Sequence, residues 1–274
     1  MRYVLMFFIV SSFYMSSPVY AQEAAAEAEV VAEEEVKPKK PKPPLYVVIE
    51  FENGGNIFGK AIFTGGTRPP AETLTITSEK EFCGDTLPAK KFSINAANEI
   101  KNAVVFLADI KEGKAVPEQD VIIDNVGCAF EPRIHVGFSA HKNKAVNTNS
   151  DPVFHNVHAY IRGRTVYNLG IPETGFQAKR KLRPGLMSIK CNAHPWMLAY
   201  SYNFPHPYAS LTDDSGSFSL TNIPAGEYEL KAWHEGFGEI SLGKVTIAGG
   251  DTVEKNAEFS EVSVKKNTKK EHMK

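Results

Sequence analysis

Cys191-Asn192-Ala193-His194-Pro195-Trp196-Met197 puts a thiol, an imidazole and a thioether into seven residues. Soft sulfur and borderline nitrogen donors in this combination suit copper in either oxidation state. So short a peptide cannot surround a metal by itself, so a fourth donor has to come from elsewhere. The best candidate is His155, in Asp151-Pro152-Val153-Phe154-His155-Asn156-Val157-His158. Alternate residues of a strand face opposite sides, so only one of His155 and His158 is expected at a metal. His155 stands far enough upstream of Cys191 for a hairpin and a return strand over 186–191, which Arg183-Pro184-Gly185 would open.

Plainer readings compete. Cys-x-x-His alone is a weak signal, and Cys191 read alone fits an inert buried thiol. Zinc accepts Cys and two His, but a thioether is a poor zinc ligand. A thiol hydrolase needs an imidazole placed on the cysteine and an oxyanion site, and neither has a motif here. The upstream His-Asn and Met197 together favour copper, and no catalytic residue is assigned.

Moving outward, helical periodicity is nearly absent. Short runs rich in Val, Ile, Phe and Tyr recur between Gly, Pro, Asn and Asp clusters, which reads as an all-β chain of one or two sandwiches. Strands are expected near 46–51, 59–63, 74–77, 103–108, 121–123, 134–138, 157–161 and 186–191. Four more are expected near 198–203, 217–220, 227–234 and 243–247.

The N-terminus carries Arg2, an apolar run over 3–13 and Val19-Tyr20-Ala21, the pattern of a cleaved signal peptide over 1–21. Export, into the periplasm or an equivalent compartment, is the expectation. Residues 22–44 are Ala, Glu, Pro and Lys and read as an extended spacer, while 262–274 read as a basic tail. No later stretch is apolar enough for a membrane helix. A formal net charge of -1 gives nucleic-acid binding little support. Three cysteines in an exported chain suggest one disulfide and one cysteine left over. Cys191 sits among ligand types, so Cys83 and Cys128 are the expected pair.

The His155-Asn156 segment, the Pro184-Gly185 turn and the Cys-x-x-His-x-x-Met loop resemble the blue-copper cupredoxins, most closely the amicyanin type. That resemblance covers about 121–204. It implies a Greek-key sandwich with one type 1 copper ion, His155, Cys191 and His194 as equatorial ligands and Met197 as weak axial ligand. Asn156 would tie the His155 strand to the Cys191 loop. Cupredoxin nitrite reductases and oxidases place histidine beside the copper cysteine, whereas Cys191 is flanked by Lys190 and Asn192. An electron carrier is therefore implied, with a redox protein such as a cytochrome or dehydrogenase as partner. Pro152, Phe154, Pro195 and Trp196 would form its apolar docking patch. The run Lys179-Arg180-Lys181 with Arg183 would steer an acidic partner, if it is more than a solvated loop.

Thr212-Asp213-Asp214-Ser215-Gly216-Ser217-Phe218, followed by Pro224-Ala225-Gly226-Glu227-Tyr228, resembles the carboxypeptidase-regulatory, transthyretin-like module. Gly216 and Gly226 fit turn positions that favour positive φ. The module's first strands are missing there, and 55–63 looks like one of them. The expected organisation is thus a scaffold from 45–120 and 205–261, with a copper domain over 121–204 inserted. Copper storage or delivery, and a purely structural envelope module, are the other functions weighed. His206, His234 and Glu235 are candidates for a second metal, although packing suits histidines beside aromatic rings better. His135 and His141 carry no signal.

Overall fold

A computed structural model describes residues 45–140 and 142–260. The signal segment, the spacer, the basic tail and His141 lie outside the described residues. The first strands are β1 (Val47–Val48), β2 (Gly55–Phe63) and β3 (Thr73–Thr75), followed by the one-turn helix α1 (Lys80–Cys83). Then come β4 (Thr86–Pro88), β5 (Val104–Leu107) and β6 (Glu112–Gly113). The middle of the chain supplies β7 (Val121–Val126), β8 (Ala129–Glu131), β9 (Ile134–Phe138), β10 (Lys144–Asn149) and β11 (His155–Ile161). It continues with β12 (Arg164–Ile171), β13 (Gln177–Lys181), β14 (Gly185–Lys190) and β15 (Leu198–Phe204). Last are β16 (Ala209–Leu211), β17 (Ser217–Ile223), β18 (Gly226–His234), β19 (Gly238–Ile247), β20 (Thr252–Glu254) and β21 (Ala257–Phe259).

The fold is all-β, in two sandwiches. The middle strands form one, with sheets ordered β13-β10-β7-β8 and β12-β11-β14-β15-β9. Its interior is Ile123, Phe130, Val157, Ile171, Leu182, Met187 and Ile189, inward residues that alternate with outward polar ones along the strands. The first and last strands share the second sandwich, whose sheets run β16-β5-β18-β19 and β17-β2-β20, with β21 also on β2. Thus Lys60 of β2 pairs with Ser217 of β17, and Leu107 of β5 with Leu230 of β18. Ile57, Leu107, Phe218, Leu230, Phe237 and Phe259 fill this second core.

Gly216 adopts φ +68°, as its turn requires. Gly226 does not take a positive φ; it opens β18 against the Tyr228 phenol, where a Cβ would come within 2.9 Å of the hydroxyl. Close approach to a ring selects glycine there, not the turn geometry.

An aromatic layer joins the sandwiches. Phe106 of the second lies against Phe204 of the first at 4.9 Å between centroids, and Tyr200 meets Trp233 at 5.3 Å. Beside this layer, Arg133 Nη2 donates to Glu235 Oε2 at 2.7 Å, Nε donates to the other oxygen, and Nη1 donates to the Leu198 carbonyl at 3.1 Å. Removing one partner of a buried pair leaves the other charge uncompensated, so Glu235→Ala is expected to cost about 3–5 kcal/mol in urea unfolding. A loss near zero would show that the pair holds nothing.

Three histidines besides His155 and His194 are buried. His234 packs on Phe92, Phe237 and Phe259, His206 on Phe204, Tyr46 and Tyr208, and His135 lies inside β9. Burial lowers His135 and His206 to about 4 and His234 to about 3. Below the ordinary histidine value the unfolded chain binds protons that the fold refuses. Stability is therefore whole above about pH 6.5 and falls towards pH 4, by up to about 1.4 kcal/mol per pH unit per histidine. Urea midpoints measured across that range should drop with acid; a flat profile would contradict the burial.

Candidate metal centre

The pairing of β11 with β14 sets the site's frame. His158 pairs with Lys190, so the start of β11 and the end of β14 lie at the same end of the sheet. His155 opens β11 and Cys191 immediately follows β14. The chain then turns through His194 to Met197, whose N–H donates to the His194 carbonyl at 3.0 Å, before β15 departs.

His155, Cys191 and His194 converge, each offering one donor atom, and these atoms all lie within 4.8 Å of one another. His155 Nδ1 lies 3.0 Å from His194 Nδ1, and Cys191 Sγ lies 3.7 Å from His194 Nδ1. Ligands around one four-coordinate ion at ordinary bond lengths stand roughly 3–4 Å apart, so the spacing fits a metal. All three side chains are buried, at 0, 4 and 1 % exposure, and Met197 is buried at 2 % within the same core. Among the described residues this is the one such gathering of His, Cys, Asp and Glu.

Protonation is arranged for binding. His155 Nε2 meets Asp151 Oδ2 at 2.9 Å, so that nitrogen carries the proton and Nδ1 presents its lone pair inward. Burial lowers both imidazoles below the ordinary histidine range; Asp151 opposes this at His155, and the neighbouring His155 adds to it at His194. Neutral rings with free lone pairs are what a metal requires.

Asp151 is the residue that the sequence reading missed. Its carboxylate also accepts the Gly127 N–H at 2.7 Å and the Cys128 N–H at 2.9 Å. Its one sequence signal is its place a turn before His155 in Asp-Pro-Val-Phe-His, which is weak alone.

Around the sulfur, the Asn156 N–H donates to Cys191 Sγ at 3.3 Å. The Asn156 side chain accepts the Asn192 N–H at 3.1 Å and donates to the Leu169 carbonyl at 3.1 Å, spanning the gap between β11 and the 191–197 loop. His158 points outward, as the strand alternation requires, to Asn192 and Thr165. Trp196 lies 4.9 Å from the His194 ring and donates to the Cys128 carbonyl at 3.1 Å. Pro152, Phe154 and Pro195 are exposed, Phe154 by 51 %.

Cys83 and Cys128 are bonded, with Cα atoms 5.6 Å apart, and Cys191 is the free cysteine. The candidates for a second metal are not brought together. Glu235 goes to Arg133, His206 Nδ1 accepts the Tyr208 N–H, and His234 Nδ1 accepts the Gly236 N–H. The basic run is displaced too. Lys181 pairs with Lys144 at the start of β10, whereas β10 reaches the metal end at Asn149. Arg183 precedes β14 and Cys191 follows it, a strand length of ~17 Å away.

A family model described as "Polysaccharide lyase family 4, domain II" matches residues 205–255. No curated protein matches the chain. Among solved structures, a copper-containing nitrite reductase from Thermus scotoductus SA-01 is similar at 18 % identity and TM-score 0.27, over 33 % of this chain and 24 % of that one. The chain therefore spans about a quarter of that enzyme's length. A purple cupredoxin from Nitrosopumilus maritimus is similar at 20 % identity and TM-score 0.26, over 31 % of this chain and 97 % of that one. Amicyanin from Paracoccus versutus is similar at 17 % identity and TM-score 0.27, over 32 % of this chain and 84 % of that one.

Proposed function

We propose that this chain is an exported, mononuclear type 1 copper protein that carries single electrons between redox partners outside the cytoplasm. The observation that carries the reading is the buried convergence of two imidazole nitrogens and one thiol sulfur, with Met197 on the same loop. Copper, when bound, would supply one-electron chemistry at little change of geometry.

The chain's own residues do the rest. Asp151 orients His155 and fixes its tautomer, while the Asn156 N–H lowers electron density on Cys191 Sγ. Packing of Trp196 on His194 excludes water from the imidazole. The donors all come from one sheet, at the head of β11 and on the β14–β15 loop, and Asp151 ties that end to the other sheet, so they would not readily follow a metal that seeks a different geometry. The residues 121–204 form the copper domain in this reading, inserted between the two parts of a scaffold, 45–120 and 205–261. Pro152, Phe154 and Pro195 offer a partner such as a cytochrome or dehydrogenase a small apolar contact, the kind that releases quickly.

The oxidised, copper-loaded protein is expected to hold one copper per chain and to show the strong thiolate-to-copper absorption band in the visible. Cys191→Ser should abolish that band; a wild-type chain that is loaded with copper while its cysteines are reduced and stays colourless once oxidised would end the reading. Asp151→Asn keeps the side chain's shape but removes its charge, and copper affinity should fall by about 10–100-fold in a chelator competition. An unchanged affinity would leave Asp151 a purely structural residue.

A further inference from the structure

A hairpin from outside 121–204 covers the metal end. β3 and β4 pair antiparallel, with α1 at their tip. Ile76 and Cys83 of the hairpin pack with Cys128, Val153 and Trp196. Glu79 stands at the tip, immediately before α1. His194, on the loop that the hairpin's Ile76 and Cys83 approach through Trp196, is 1 % exposed.

Apolar packing of Ile76 and Leu87 in the cluster with Val153 and Trp196, and the disulfide, fasten this cover. The hydrogen bonds recorded for 73–88 among the described residues run within the hairpin or to its own flanks, as in Ile76 N–H to Asp85 and Lys80 to Asp85. Between Leu74, Leu87 and Pro88 of the hairpin and Trp196 and Met197 of the loop lies a cavity of about 220 Å³. The Cys83–Cys128 bond is the covalent tie, and its sulfurs sit in residues only 7 % and 0 % exposed. Thiol exchange needs an approach to sulfur, so a bond buried this way is not readily reopened.

Resting on the copper reading of the site, we propose an order of assembly: the metal binds while Cys83 and Cys128 are thiols, and their disulfide then closes the hairpin over it. Closure forms one S–S bond and breaks two S–H bonds. Two electrons and two protons pass to a disulfide oxidant, whose own S–S bond breaks to leave two thiols. Metal on Cys191 also protects the pairing. Three free thiols can join in three ways, and a metal-bound Cys191 leaves only Cys83 with Cys128.

The full chain, reduced, is oxidised with glutathione disulfide with and without one equivalent of cuprous ion, anaerobically, and its disulfides are mapped by mass spectrometry. Cys83–Cys128 should dominate with the metal, and pairs involving Cys191 should appear without it; identical maps would overturn the order. Separately, Cys191 of the oxidised, metal-free chain should react with iodoacetamide at least about tenfold slower than in the Cys83→Ser, Cys128→Ser variant, as expected where access needs a local opening. Cuprous ion uptake should show the same contrast. If that variant does not fold, the native chain reduced by a phosphine takes its place, with the Cys191 peptide quantified separately. Equal alkylation and equal uptake sink the cover while leaving copper binding intact. A persistent alkylation contrast without copper uptake by either form sinks the copper reading instead.

Discussion

One buried carboxylate holds the metal end together. Asp151 accepts from two backbone N–H groups of the turn after β7, in one sheet, and meets the ring of His155 at the head of β11, in the other. A buried carboxylate without partners would be costly, and these three donors satisfy it. The consequence is geometric. The two sheets are tied at the same edge where the imidazole must point inward, so the ligand's orientation and the sandwich's closure are set by the same group.

The second tie is at the sulfur. Asn156 holds Asn192 with its side chain and Cys191 Sγ with its N–H, so the 191–197 loop cannot shift relative to β11 without breaking both. Arg133 adds a third anchor through the Leu198 carbonyl, directly after Met197, and carries that anchor to Glu235 in the other sandwich. The second sandwich, joined by the Phe106, Phe204 and Trp233 layer, therefore braces the metal loop as well as burying aromatic surface.

How much of this was legible in the sequence follows from where each signal lives. Cys191, His194 and Met197 fall within seven residues, and β-strand alternation separates His155 from His158, so the convergence of His155, Cys191 and His194 was readable. Asp151 was not, because its importance comes from the Gly127 turn, distant in sequence. Strands with strong apolar alternation, such as β2, β11, β14 and β18, were found. β4, β6, β8, β10, β12, β13, β16, β20 and β21 had no counterpart among the expected strands. Gln177–Lys181 carries charge on an edge strand, where a sheet guards its open hydrogen bonds with lysine and arginine instead of apolar alternation. Edge charge of that kind looks like a solvated loop until its register places it on a strand. α1, a single turn, is too short to show helical periodicity, and the β3–β4 hairpin that carries it shows its role only through what it covers.

Burial of the donors also bears on which copper chemistry the site suits. Passing a metal to another protein requires the incoming ligand to touch the ion while the old ones leave, and His155, Cys191 and His194 offer a partner almost no surface. Passing an electron requires no ligand to move. It needs only a short path through packed atoms, and Trp196 against His194 and the exposed Phe154 next to His155 shorten the path to solvent without opening it. A metal beneath the Cys83–Cys128 hairpin, held by donors of one sheet that Asp151 ties to the other, would stay while its charge changes. That contrast between a ligand set that cannot exchange and a surface that can be touched is why electron carriage is favoured over metal delivery for this chain.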